Sequence, residues 1–296
     1  MGTFRFLLAL AVAIGHAGEL WGYRLIDGQM AVQCFYMVSG FLISLILSGK
    51  YETSSASGLR LFYTNRALRI FVPYWIFFVP IAITQLIIGG AAYQLVSHWP
   101  EMDVGSRIYL ALTNLFVVGQ ELQAWLSYDH GSLTWVWSIH GTSSAHLSQF
   151  MVIPPAWTLS LELMFYALAP FLVHRNWLVL VSMIAMTYAI RQLLMFYGLS
   201  GSGFIYRFFP VEIGLFLAGA LAYRAFAFVS ARAVVPLSGS IAVTTALLAM
   251  LFVIPYWGFW ESHRFYLLVA LALPSLFVVS RRFAFDRWLG ELYVTS

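Results

Sequence analysis

The apolar run at residues 5–22 carries three side chains capable of acid–base chemistry. Arg5 and His16 are eleven residues apart. At about 100° per residue that spacing returns them to nearly one helix face, about 16 Å apart along the axis. Glu19 follows His16 at i+3, within side-chain reach. A carboxylate beside an imidazole fixes its tautomer and raises its basicity, which is what a general base needs. The competing reading is a histidine packed between helices, with Glu19 at the outer interface. The cost of placing ionisable groups in an apolar helix favours a functional role.

Two other groupings have chemical potential. Arg66 and Arg69 share a face at i, i+3 and fall in a basic turn just before Phe71-Val72-Pro73-Tyr74. Two guanidiniums there could clamp a phosphate through bidentate hydrogen bonds. Arginines in such turns also set topology or hold lipid headgroups. Further on, Pro154-Pro155 suits a helix start, and Thr158, Glu162 and Tyr166 then form a polar stripe at spacing four. A buried glutamate needs a partner or a proton. Hydrogen bonding between helices would also account for the stripe. Glu212 and Arg191 are more isolated and either line a pocket or pair structurally.

Membrane helices must position these residues. Of 296 residues, 61% are hydrophobic and 9% charged, against about 25% charged in soluble domains. The clear apolar segments are 5–22, 30–48, 70–90, 155–173, 176–197, 204–229, 235–257 and 264–280. They predict an all-α, polytopic transmembrane helix bundle with eight spans. A ninth stretch, 108–118, is short and reads as re-entrant or as an extra segment. No internal repeat or soluble domain stands out, so residues 1–296 read as a single membrane domain.

The single cysteine, Cys34, excludes an intramolecular disulfide framework and a cysteine-based zinc site. It lies in an apolar run and reads as a packing residue. No metal is expected. The formal charge of +4 comes from arginines flanking apolar segments and gives no reason to expect nucleic acid. Ala11-Val12-Ala13 resembles a signal cleavage site, but the spans that follow favour a retained first helix. Phe6 stands where a myristoylation motif needs Ser or Thr.

If 108–118 does not cross, a cytoplasmic N-terminus puts most of the Lys and Arg inside, among them Arg5, Lys50, Arg60, Arg66, Arg69, Arg175, Arg224, Arg232, Arg281 and Arg282. If it crosses, the distribution becomes even. The first topology is preferred and makes 119–154 an extracytoplasmic loop. That loop has no Lys or Arg and holds Trp125, Trp135, Trp137, His130, His140 and His146. Its rings and hydroxyls suit a sugar, or equally an interfacial flap anchored by tryptophans.

Four motifs in order resemble those of the acyltransferase family 3 membrane proteins, which include O-antigen and peptidoglycan O-acetylases. Arg5 and His16 match the R/K-x10-H pattern. Residues 29–43, with Phe35, Ser39, Gly40, Phe41, Leu42 and Ile43, resemble the second-helix motif, with Ala31 where the family has Gly. Arg66 and Arg69 match R-x-x-R, followed by Pro73-Tyr74. Trp157-Thr158-Leu159-Ser160-x-Glu162-x-x-Phe165-Tyr166 matches the W-[ST]-L-S-x-E-x-x-F-Y signature. The resemblance runs from about residue 3 to 293.

The resemblance implies an O-acyltransferase of the bacterial inner membrane. It would move an acyl group, expected to be acetyl, from acyl-CoA to a hydroxyl of a cell-envelope glycan or lipid-linked saccharide. It implies His16 as catalytic base or transient acyl carrier, with Glu19 as its orienter. Arg5, Arg66 and Arg69 would hold the coenzyme A phosphates at the cytoplasmic mouth. Trp157, Ser160, Glu162, Tyr166 and Ser39 would line the substrate pocket among membrane lipids. The chain ends at Gly290-Glu291-Leu292-Tyr293-Val294-Thr295-Ser296, where the family continues with a further span, so the last helix is expected to be missing. Two other classes compete: a transporter of a sugar or small solute, marked by midplane ionisable residues, and an inactive assembly subunit.

Overall fold

The structure is a computed structural model and describes residues 1–18, 25–51, 55–136, 145–199, 203–256, 262–286 and 288. The helices are α1 (Gly2–Ala17), α2 (Gly28–Gly49), α3 (Ala56–Ile88), α4 (Ala91–His98), α5 (Val104–Phe116), α6 (Trp157–Leu172), α7 (Trp177–Phe196), α8 (Phe209–Ser230), α9 (Leu237–Val253) and α10 (Ser262–Arg282). Six helical segments among the described residues are long and apolar enough to cross a bilayer: those containing α2, α3, α7, α8, α9 and α10. The chain is an all-α membrane protein, and each expected apolar run contains a helix. Helices α1 and α6 have 16 residues each, or about 24 Å, short of the roughly 30 Å hydrocarbon core. The 108–118 stretch forms α5, which at 13 residues is shorter still.

Helix α3 departs most from expectation. It runs for 33 residues, or about 50 Å, so Arg66 and Arg69 lie inside a helix and not in a turn. Ser55 Oγ accepts the Gly58 N–H at 3.1 Å and caps its start. The residues from Leu59 to Arg69 then include strong helix formers that carry the helix into the apolar run. Pro73 and Pro80 lie within it. Large apolar side chains such as Trp75, Ile76, Phe77, Val79 and Ile83 are exposed, as suits a helix bathed in lipid.

The chain separates into two compact units. The first comprises Met1–Leu59, Leu168–Tyr188 and Glu212–Ser296; the second comprises Arg60–Ala167 and Ala189–Val211. The core of the first takes Phe4, Leu8 and Ala11 from α1, Cys34, Met37 and Phe41 from α2, and Phe265, Val269 and Leu273 from α10. These positions recur every three or four residues, the period of one helix face. Cys34 is buried and packs there, with no role as a nucleophile in view. Helices α2 and α8 touch backbone to backbone. A Cβ at Gly40 would lie 1.8 Å from Phe216 O, and one at Gly219 would lie 1.9 Å from Met37 O. Only glycine permits that approach.

Two polar arrangements fix this unit further. The Asp286 carboxylate accepts the N–H groups of Gly2 (3.1 Å) and Thr3 (2.7 Å), capping α1. Gln33 Nε2 donates to both oxygens of the fully buried Glu212, at 2.8 and 3.0 Å, and the Tyr266 hydroxyl donates to Gln33 Oε1. Glu212, open between pocket and pairing on sequence grounds, is thus a structural partner joining α8 to α2.

In the second unit, the segment expected to be a loop carries a small antiparallel sheet in the order β2-β1-β3. Its strands are β1 (Leu126–Asp129), β2 (Ser132–Trp135) and β3 (Ala145–His146). In the β1–β2 hairpin Ser127 faces Thr134 and Asp129 faces Ser132. The turn residues His130 and Gly131 have φ of 44° and 85°, the two positive values of a type I′ turn. A Cβ on Gly131 would also meet Glu101 O at 2.4 Å. Asn114 of α5 ties the segment down. Its Nδ2 donates to Phe150 O at 3.0 Å and its Oδ1 accepts Val152 N–H at 2.9 Å, while its carbonyl accepts the Tyr74 hydroxyl at 2.6 Å. Trp137 and His140 lie outside the described residues.

Candidate active site

His16 sits in the last turn of α1 with its ring exposed. The helix ends just beyond it because Gly18 takes φ 95°, a conformation glycine adopts without penalty. His16 is therefore at the end of a short helix and not in the middle of a longer one. Its Nδ1 lies 2.7 Å from Val12 O. A carbonyl oxygen only accepts, so Nδ1 carries the proton and Nε2 keeps an outward lone pair in the neutral ring. Glu19, the expected orienter, lies outside the described residues. The backbone of α1 itself orients the ring.

Glycine packing brings the start of α2 beside this turn. A Cβ on Gly15 would come 3.9 Å from Gly28, and one on Gly28 would come 3.8 Å from Val12 Cα. At the other end of α1, Arg5 is half-buried near the capped terminus. Ser39 is half-buried on α2, next to the Gly40 contact. Arg5, His16 and Ser39 all belong to the first unit.

The second unit gathers Arg66, Arg69, Glu162 and Tyr166. The Tyr166 hydroxyl donates to Glu162 Oε1, and Arg66 stands 6.0 Å above the Tyr166 ring centroid, within cation–π range. Arg69, Arg66 and Glu162 all act electrostatically on the Tyr166 hydroxyl. The Nε of Arg66 is buried without a hydrogen-bond partner. Helices α3 and α6 are joined next to this cluster, where the Tyr63 hydroxyl donates to Ala167 O at 3.0 Å. Pro170 lies one turn on and loosens α6 by withdrawing an N–H from its ladder. The cluster can receive an oxyanion such as a phosphate: two guanidiniums on one helix face, Arg66 with an Nε that has no partner.

The other signature residues do different work. Ser160 Oγ accepts the Gly119 N–H at 3.1 Å and donates to Glu121, so it holds the 119–124 turn onto α6. Glu121 is a buried carboxyl that sequence reasoning passed over. Burial lifts its pKa above the usual carboxylate range, and the Ser160 bond pulls part of that back. No local motif singles it out, since its burial is created by tertiary contacts. Trp157 is buried beneath Arg207, whose guanidinium lies 4.8 Å from the ring centroid, with Tyr206 edge-on at 4.6 Å. Nearby in the fold, Trp125 stacks on Trp135 (6.1 Å, 4°) and meets Phe204 and Phe208 edge-on. Thr158 bonds back to Pro155 O at 3.2 Å.

Residues 2–294 match the family described as "Acyltransferase domain" (Acyl_transf_3). The chain belongs to this family. It is a membrane acyltransferase, and the match covers essentially the whole of the sequence. No curated protein and no solved structure matches the chain. Membership in the family leaves the donor, the acceptor and the roles of individual residues open to argument from the chemistry of the sites.

Proposed function

We propose that this acyltransferase moves an acetyl group from acetyl-CoA to a hydroxyl of a cell-envelope glycan or lipid-linked saccharide. It would do so in the bacterial inner membrane with its N-terminus in the cytoplasm. The observation that carries this reading is the His16 ring, locked by Val12 O with the Nε2 lone pair outward. His16 Nε2 takes the proton of the acceptor hydroxyl as that oxygen attacks the thioester carbonyl. The tetrahedral carbon then expels the thiolate with cleavage of the C–S bond, and the imidazolium returns the proton to sulfur. The products are the O-acetyl ester and free coenzyme A, and His16 ends neutral as it began.

In this reading Arg66 and Arg69 hold donor phosphates, and the Glu162–Tyr166 pair keeps the two guanidiniums spread beneath them. Arg5 adds positive charge at the end of α1 opposite His16. Trp157 is covered by Arg207 and backs the pocket, while the exposed Trp135, stacked on Trp125, is the natural platform for a sugar ring. Ser160 serves as an anchor for the 119–124 turn.

The test is thiol release from acetyl-CoA by membranes holding the chain, with an acceptor extract supplied. His16→Ala at matched expression should lower the rate by about 100-fold or more, the contribution of a positioned base. Full activity in that variant would rule out His16 as the base.

A further inference from the structure

A second cationic site lies in the first unit, away from His16. A cavity of about 300 Å³ opens among the C-terminal turns of α2 and α8 and the segment after α6. Its polar lining is Ser44, Ser48, His174, Tyr223 and Arg224, and among the described residues no acidic side chain lines it. Ser44 and Ser48 are one helical turn apart on α2. Ser44 is buried to 1% exposure, and its hydroxyl has no hydrogen-bond partner. A buried hydroxyl left unsatisfied is costly unless something else completes it.

The remaining groups carry positive charge or protons to give. Arg224 donates through Nη1 to Arg175 O, the carbonyl next to His174. A guanidinium has five N–H donors, so most are left for a ligand. His174 is exposed at the mouth. Partial burial and the neighbouring Arg224 hold its ring below the usual histidine pKa. An anion beside Arg224 would offset the repulsion that disfavours a second charge.

The cavity also has a defined level in the unit. Gly15 meets Gly28 where α1 ends and α2 begins, so the far end of α2 lies level with the start of α1 and Arg5. Ile26 N–H donates to Leu251 O at 3.1 Å, placing the end of α9 at the start of α2. The end of α8, which feeds α9, is therefore level with the end of α2. The cavity is at a membrane-edge level of this unit, where headgroups and soluble anions are both available.

We propose that this cavity binds a phosphate group, with Arg224 as its charge partner and Ser44, Ser48, Tyr223 and His174 as hydrogen-bonding groups. Two sources offer that chemistry: the headgroup of an anionic phospholipid and a soluble phosphate. The proposal does not depend on acyl transfer, and it holds or falls separately from the His16 mechanism.

The test uses the full chain in phosphatidylcholine nanodiscs, read as the thermal unfolding midpoint. One arm titrates inorganic phosphate, and the other replaces part of the phosphatidylcholine with phosphatidylglycerol. A ligand bound only by the folded chain raises the midpoint further as its free concentration exceeds the Kd, logarithmically. Arg224→Gln should weaken the apparent affinity by about tenfold or more, the usual loss for a hydrogen bond to a charged group. Because Arg224 also holds Arg175 O, Ser44→Ala serves as the second variant. It removes an unpartnered buried hydroxyl, so the ligand-free midpoint should hold or rise while affinity falls about threefold to tenfold. A rise with phosphatidylglycerol alone identifies a lipid headgroup site, and a rise with phosphate alone identifies a soluble ligand. No rise in either arm, or an equal rise in wild type and both variants, overturns the proposal.

Discussion

Two glutamates in this membrane protein are placed to opposite ends. Glu212 is fully buried, and both of its oxygens accept from one amide, whose own oxygen accepts from Tyr266. Glu162 is half-buried and accepts from Tyr166 beside two arginines, one of which has a buried Nε without a partner. The first network joins helices. The second leaves the Arg66 Nε without a partner. A polar group in an apolar helix is therefore read by whether its neighbours are already satisfied, and the residue type alone does not decide.

The contrast makes predictions of decreasing size. Glu212→Ala leaves the Gln33 amide buried and unmatched, and should cost about 3 kcal/mol of stability. Glu212→Gln can still pair with Gln33 and should cost less than half of that. Both are measured as unfolding midpoints in detergent, and equal midpoints for the alanine variant and wild type would remove the structural half of the contrast. Tyr166→Ala takes away the ring under Arg66 and should weaken coenzyme A binding about tenfold. Tyr166→Phe keeps the ring and should stay within about threefold.

The smallest effect concerns Glu121, another buried carboxyl. Its folded pKa is raised, so between the ordinary carboxyl value and the raised one the folded chain binds more protons than the unfolded chain. Stability contributed by its protonation is therefore present at low pH and lost as pH rises through that window. Glu121→Gln should flatten this slope and hold stability at neutral pH within about 0.5 kcal/mol of wild type or above it. A slope unchanged by the substitution would assign it to other groups.

The sequence made the membrane helices legible because apolar length is local information: the runs at 30–48, 176–197 and 264–280 became α2, α7 and α10 with small shifts at the ends. It also made Glu162 and Tyr166 legible as a pair, since i, i+4 spacing on a helix dictates the contact. Other features depended on geometry that no window contains. Arg66 and Arg69 read as a turn because charge interrupts hydropathy, yet the intrinsic helix preference of Leu59–Arg69 and the Ser55 cap carry α3 through them. The hairpin at 126–135 was hidden by its short strands, although His130-Gly131 marks its turn. The orientation of His16 by Val12 O came from its own helix and not from the acidic neighbour that sequence spacing suggested.

The most direct test of the contrast is equilibrium binding of coenzyme A to the purified full chain, compared with Arg66→Gln and Arg69→Gln together. If the open cluster holds donor phosphates, the double variant binds about 100-fold more weakly and unfolds at the wild-type midpoint. Wild-type affinity in the double variant would contradict the assignment and return these arginines to the structural class that Glu212 represents.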